Sequence, residues 1–122
     1  MRVLVIDDSE SMRLLVRQAL SDSRYEIIEA QDGVEGLEKL ESEVGLNIAL
    51  CDVNMPRMGG LELAAEAQRR GLKTPIIMLT TEGQASMIQR AREAGAKGWI
   101  VKPFKPDLLA LAVNKIAITP AT

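Results

Sequence analysis

Residues 46–56, Leu-Asn-Ile-Ala-Leu-Cys-Asp-Val-Asn-Met-Pro, limit the possible fold more than any other stretch of this chain. Ile48, Ala49, Leu50 and Cys51 form an unbroken apolar run, Asp52 ends it, and Pro56 punctuates the next loop. An apolar run of this length without alternation reads as a strand buried on both faces, the kind found inside parallel sheets. Three other runs have the same build. Val3–Ile6 is ended by Asp7 and Asp8, Ile76–Leu79 by Thr80, and Trp99–Val101 by Lys102. Ligands of open parallel sheets bind beyond the carboxyl ends of the strands. Four strand ends therefore bring three acids, a hydroxyl and an amine to one edge.

Helical patterns separate these runs. Ser9 can cap a helix whose apolar positions Met12, Leu15, Val16, Ala19 and Leu20 follow helical spacing. Tyr25 to Ala30 reads as a second strand. Asp32-Gly33 then precedes a helix with Val34, Leu37 and Leu40, ending near Gly45. A loop from Asn54 to Gly60 leads into a helix from about Leu61 to Arg70, with Gly71 as its C-cap. Thr74-Pro75 opens the fourth strand, and a helix from about Gln84 to Ala94 closes at Gly95. After Gly98–Val101, Lys102-Pro103-Phe104 turns into a last helix from Pro106 to about Ile118, where proline suits the first position. Strict alternation of five strands and five helices, with no repeat or linker, predicts a three-layer α/β fold. The right-handed crossover rule makes it doubly wound, and five strands fit the flavodoxin-like order 2-1-3-4-5. In that order strands 1 and 3 are neighbours, so Asp7, Asp8 and Asp52 share one crevice.

Composition narrows the chemistry. At 122 residues the chain is expected to be one domain, 1–122, with a real core. A net charge of −2 argues against a broad nucleic-acid footprint. No stretch approaches the roughly 20 apolar residues of a membrane span. Strand-like sequence begins at once, so no secretory signal is expected and the expected location is the cytoplasm. With no histidine and the single Cys51, zinc and redox-pair sites are excluded and any metal must prefer oxygen.

Three converging carboxylates repel one another, and they either raise each other's pKa or bind a cation. Mg²⁺ fits, since it takes one or two carboxylates and keeps waters for a phosphate. Lys102 adds a point donor for a phosphoryl oxygen and Thr80 a hydroxyl, while a carboxylate can act as nucleophile toward phosphorus. Phosphoryl transfer is mostly positioning and charge stabilisation, so this set is sufficient. Taken singly, each residue has a plainer reading: a helix cap for Asp7-Asp8, a turn for Asp52-Val53-Asn54, a strand-end hydroxyl for Thr80, a solvated lysine for Lys102. Their joint placement at carboxyl ends favours a site. Two other classes use related groups. A phosphohydrolase with an aspartyl nucleophile needs a cap or substrate loop, and a flavodoxin-like electron carrier needs a hydroxyl-rich phosphate loop and aromatics, which are 2% here.

The motifs Val5-Ile6-Asp7-Asp8-Ser9, Asp52-Val53-Asn54-Met55-Pro56, Thr80-Thr81-Glu82 and Lys102-Pro103-Phe104 resemble the receiver domain of two-component response regulators. Asp8-Ser9-Glu10-Ser11-Met12-Arg13 and the absence of an output domain look most like stand-alone, CheY-type chemotaxis regulators. The resemblance implies that Asp52 is the phosphoacceptor, taking a phosphoryl group from a phosphohistidine on a histidine kinase. It implies that Asp8, Asp52 and the backbone carbonyl of Asn54 ligate Mg²⁺, with Asp7 helping through water. Lys102 would hold the phosphoryl group, and its bond to Pro103 would be cis. Thr80 would swing toward the phosphoryl group and vacate space for the aromatic at position 99. Glu82 and the Asn54 side chain would tune hydrolysis. The protein would be a signalling switch rather than a turnover enzyme, a monomer or a phosphorylation-dependent dimer. Its downstream protein would dock on the face formed by the fourth helix, fifth strand and fifth helix.

Two features qualify this picture. The family usually carries Tyr or Phe where this chain has Trp99, and the bulkier indole puts a full inward swing in question and leaves Trp99 available as a surface contact. In the last helix, apolar residues cover more than the roughly 100° stripe that one core face requires. Leu109, Val113 and Ile116 can face the sheet, leaving Leu108, Leu111 and Ala112 toward solvent as a docking or self-association patch.

Overall fold

A computed structural model describes residues 1–119 of the chain. The elements run β1 (Arg2–Ile6), α1 (Glu10–Ala19), β2 (Glu26–Ala30), α2 (Gly33–Ser42), β3 (Leu46–Asp52), α3 (Gly60–Arg69), β4 (Ile76–Thr80), α4 (Ala85–Glu93), β5 (Gly98–Val101) and α5 (Pro106–Ile116). The strands form one parallel sheet in the order β2-β1-β3-β4-β5, the expected doubly wound arrangement.

Each face of the sheet has its own core. Leu4, Ile6, Ala49, Cys51 and Met78 point to the side covered by α2, α3 and α4, through Leu37, Leu40, Leu63, Ala64, Ala67 and Ala91. Val3, Val5, Ile48, Leu50, Ile77 and Leu79 point to the other side, where Val16 and Leu20 of α1 and Leu109 and Val113 of α5 meet them. Successive strand residues face opposite ways, so each central strand must be apolar throughout, which is why the runs do not alternate.

Several element ends differ from the expected ones, each for a local backbone reason. Tyr25 is not part of β2, because its amide closes a turn onto the carbonyl of Asp22 at 3.1 Å while its hydroxyl pairs with Asn114 of α5. Helix α2 stops before Gly45, whose φ of 79° belongs to the turn into β3. Helix α5 ends at Ile116, since the amide of Ile118 leaves the helix to bond with Asn47 at the start of β3. In α1, Leu15 is exposed, and the buried row is Arg13, Val16 and Leu20. In α5, Leu109 and Val113 are buried and Leu108 and Leu111 are 57% and 68% exposed, as expected. Ala112, expected to face solvent, is half-buried against the core beneath α5, and Ile116 is only partly covered.

Gly60 opens α3 in direct contact with the end of β3. Its amide donates to the Val53 carbonyl at 2.8 Å, and a Cβ placed on it would lie 2.2 Å from the carbonyl oxygen of Asp52. That neighbour is backbone and cannot rotate away. Gly60→Ala is therefore expected to destabilise the fold by about 1–3 kcal/mol in urea unfolding, the usual cost of forced overpacking. An unchanged midpoint would show that β3 and α3 can separate freely.

Candidate functional site

Register builds the site. Ile6 is level with Cys51 across β1 and β3, so the next residues, Asp7 and Asp52, leave the sheet side by side. Asp52 is level with Leu79 of β4, and Thr80 with Val101 of β5, which puts Lys102 one step beyond the edge. By the alternation of the strands, Asp7, Asp52 and Lys102 lie on the α1–α5 side. Thr80 and Trp99 lie on the α3–α4 side, where Trp99 is level with Met78, two residues before Thr80.

Helix α1 frees the acids from a capping role. Its N-cap is Ser9, whose Oγ accepts from the Met12 amide at 3.2 Å. Asp7 is 2% exposed and fully engaged: Oδ1 accepts from the Ser9 amide at 2.9 Å and Oδ2 from Lys102 Nζ at 3.0 Å. Lys102 also lies 3.4 Å from Asp52 Oδ1, so one ammonium spans two of the acids. Asp8 is exposed at the rim, and ligand atoms of Asp7, Asp8 and Asp52 lie within 4.8 Å of one another. Burial and then the charge of Asp7 raise the Asp52 pKa, while Lys102 works in the opposite direction.

The donors fit a hard divalent cation. Every available ligand is oxygen, because the chain has no histidine and the Cys51 thiol is wholly buried, its pKa raised by burial and by Asp52. Among the described residues this is the one acidic cluster of that kind.

The second half of the predicted set gathers around Glu82. Its amide donates to Thr80 Oγ at 3.2 Å, its carbonyl accepts from Trp99 Nε1 at 3.0 Å, and its carboxylate accepts from Asn54 Nδ2 at 3.0 Å. Thr80 is buried, and Trp99 is half-buried against the α3–α4 core rather than free at the surface. The Lys102–Pro103 bond is cis. Eight of the nine predicted site residues thus lie at the carboxyl edge, in an acidic half around Lys102 and a polar half around Glu82, and Trp99 reaches that edge from within β5 through its indole N–H. Two arginines near this edge were given no role by the motifs. Arg13 sits beneath Asp7, and Arg57 holds the left-handed region at φ 66° while its guanidinium pairs with Asp32, the N-cap of α2, at 2.8 Å. A charge at an inward helical position was the available sign of Arg13. Nothing in the sequence marked Arg57.

A doubly wound sheet with an acid triad and a lysine at its switch point defines a class of α/β domains whose ligand site lies beyond the carboxyl ends of the strands. Residues 3–114 match the response regulator receiver domain family, and the chain belongs to it. It is 43% identical to the chemotaxis protein CheY1 of Helicobacter pylori over 112 residues, covering 89% of this chain and 90% of that protein. It is 36% identical to the chemotaxis protein CheY of Thermotoga maritima, covering 95% and 97%. The structure of chemotaxis protein CheY4 from Vibrio cholerae superposes with a TM-score of 0.86 at 38% identity, over 94% of this chain and 97% of that one.

The raised pKa of Asp52 carries a sign that can be tested. In metal-free protein the folded state holds the Asp52 proton to higher pH than the unfolded chain does, so ionising Asp52 costs stability. Asp52→Asn should match the wild type in urea midpoint at low pH, where Asp52 is protonated in both states. It should become the more stable protein as pH rises through the carboxylate range. A constant difference across that range would contradict the burial and neighbouring charge that raise the Asp52 pKa.

Proposed function

We propose that the protein is a phosphorylation-driven switch in which Asp52 accepts a phosphoryl group from a histidine kinase in a Mg²⁺-dependent reaction. The observation that carries this reading is Lys102 Nζ standing between Asp7 and Asp52 at 3.0 and 3.4 Å, inside a cluster of three oxygen donors. Asp8, Asp52 and the backbone carbonyl of Asn54 would hold Mg²⁺, with Asp7 assisting through water. The ion, where bound, supplies positive charge against the carboxylates and the transferring phosphoryl oxygens.

A carboxylate oxygen of Asp52 attacks phosphorus of a phosphohistidine. The new O–P bond forms as the P–N bond breaks, and the imidazole leaves with the electron pair. Lys102 turns from Asp7 to a phosphoryl oxygen, as a flexible point charge can. Thr80 uses its hydroxyl oxygen to accept from Glu82, so its proton is available to a phosphoryl oxygen once that bond is given up. Movement of Thr80 disturbs Glu82 and through it the Trp99 indole, the nearest aromatic on that face. Asn54 and Glu82, bonded to each other beside the site, tune access of the hydrolysing water.

The output is a change in protein binding, and the chemotaxis names of the relatives point to that pathway. The α4–β5–α5 face supports the docking role, with Leu108 exposed in a hollow that Val101 also lines and Leu111 exposed further along α5. The protein catalyses only its own phosphorylation and dephosphorylation. The longest connection on the site edge, 53–59, leaves no segment to close over a small substrate as a phosphohydrolase requires. No helix among the described residues is long and apolar enough to cross a membrane.

Incubation with Mg²⁺ and acetyl phosphate should add one phosphoryl unit by intact mass. The addition should vanish with chelator or in Asp52→Asn, and Lys102→Met should slow it by at least about 100-fold, the scale set by removal of a charge-stabilising donor. Full phosphorylation of Asp52→Asn would overturn the assignment.

A further inference from the structure

Arg13 is 9% exposed on the inward face of α1, in the same row as Val16 and Leu20. A guanidinium held there must replace its lost water with close polar partners. Its Nε donates to Glu29 Oε1 at 2.8 Å, and Arg17 Nη1 donates to the other oxygen of Glu29 at 2.6 Å. This part resembles an ordinary ion-pair clasp between α1 and β2. The remaining contact does not. Nη1 of Arg13 donates to the backbone carbonyl of Asp7 at 2.6 Å, in a buried bond.

That carbonyl occupies a particular place. It lies one residue past the last ladder pairs of β1, Ile6 with Ala30 and Ile6 with Cys51. The Asp7 amide reaches back to Ala30 at 3.1 Å, but the carbonyl has run out of strand, and burial keeps water from it. Arg13 is the group that satisfies it. The backbone at Asp7 is thus held on both sides, by β2 through its amide and by Arg13 through its carbonyl. Asp8 comes one peptide later, and the Ser9 amide then fixes the Asp7 carboxylate.

We infer that Arg13 is a positioning residue for the acidic pocket: its bond to the Asp7 carbonyl fixes the backbone from which the Asp7 and Asp8 carboxylates project, and so sets the pocket's affinity for a divalent cation. Arg13 itself touches neither cation nor phosphoryl group. Lysine cannot take its place, because a single ammonium lacks the rigid fork that serves Glu29 and the carbonyl together. The inference rests on reading the pocket as a Mg²⁺ site.

The test is a calorimetric Mg²⁺ titration of the full chain as wild type, Arg13→Met, Arg13→Lys and Arg17→Gln, with urea unfolding of each. Arg13→Met is expected to bind Mg²⁺ about tenfold more weakly, within the range seen when a partner behind a metal ligand is lost. Arg13→Lys should fall between it and the wild type. Arg17→Gln, which loses only an exposed arm of the Glu29 pair, should stay within about twofold. A purely structural Arg13 would lower the urea midpoint and leave the Mg²⁺ affinity of the folded protein unchanged, which would overturn the inference. Equal weakening in Arg17→Gln would also overturn it, by moving the effect to Glu29. If Arg13→Met does not fold, wild-type affinity in Arg13→Lys overturns it. Absence of Mg²⁺ binding by the wild type contradicts the metal reading beneath it.

Discussion

Asp7 and Asp52 leave adjacent strands at the same level, and the repulsion between them is what the surrounding structure has to accommodate. Neither can retreat, because β1 and β3 are adjacent interior strands of the sheet and are buried on both faces. The accommodation visible in the structure is Lys102, whose ammonium lies between them from the end of β5. It is incomplete, since burial and Asp7 still raise the Asp52 pKa. A site in that condition is receptive to further positive charge.

The polar half of the edge stands in a different relation to the sheet. Thr80 and Trp99 face the α3–α4 side, so whatever happens at Asp52 on the other side has to reach them through the strand ends and Glu82. Glu82 is well placed for this, with amide, carbonyl and carboxylate each committed to a different element of the edge. Helix α4, the next element in the chain, buries only Ala91.

Much of this was legible in the sequence because both fold and site derive from one pattern. An unbroken apolar run requires burial on both faces, burial on both faces requires a parallel sheet, and a parallel sheet puts Asp7, Asp52, Thr80 and Lys102 at one edge. The features that escaped depend on which of several possible partners a polar group selects. Helix α5 could have continued to Ile118, but the Ile118 amide found Asn47 instead. Periodicity put Leu15 in the buried row of α1, whereas Arg13 took that row because Glu29 and the Asp7 carbonyl offered it partners that no spacing rule reveals. Ala112 is half-buried against the core beneath α5, which spacing alone did not show. The indole nitrogen of Trp99 was the overlooked element at position 99, since it ties the ring to Glu82 in a way that bulk alone did not indicate.

Lys102 is held between two carboxylates, and the proposed switch depends on its transfer to a phosphoryl group on Asp52. A crystal structure of the protein with Mg²⁺ and beryllofluoride, a stable phosphoryl mimic, tests this most directly. The expected result is the mimic on Asp52, the ion on Asp8 and Asp52, and Lys102 Nζ moved from Asp7 to a fluorine, with Thr80 no longer accepting from the Glu82 amide. A mimic bound elsewhere, or Lys102 still paired with Asp7 while Asp52 carries it, would contradict that role for Lys102.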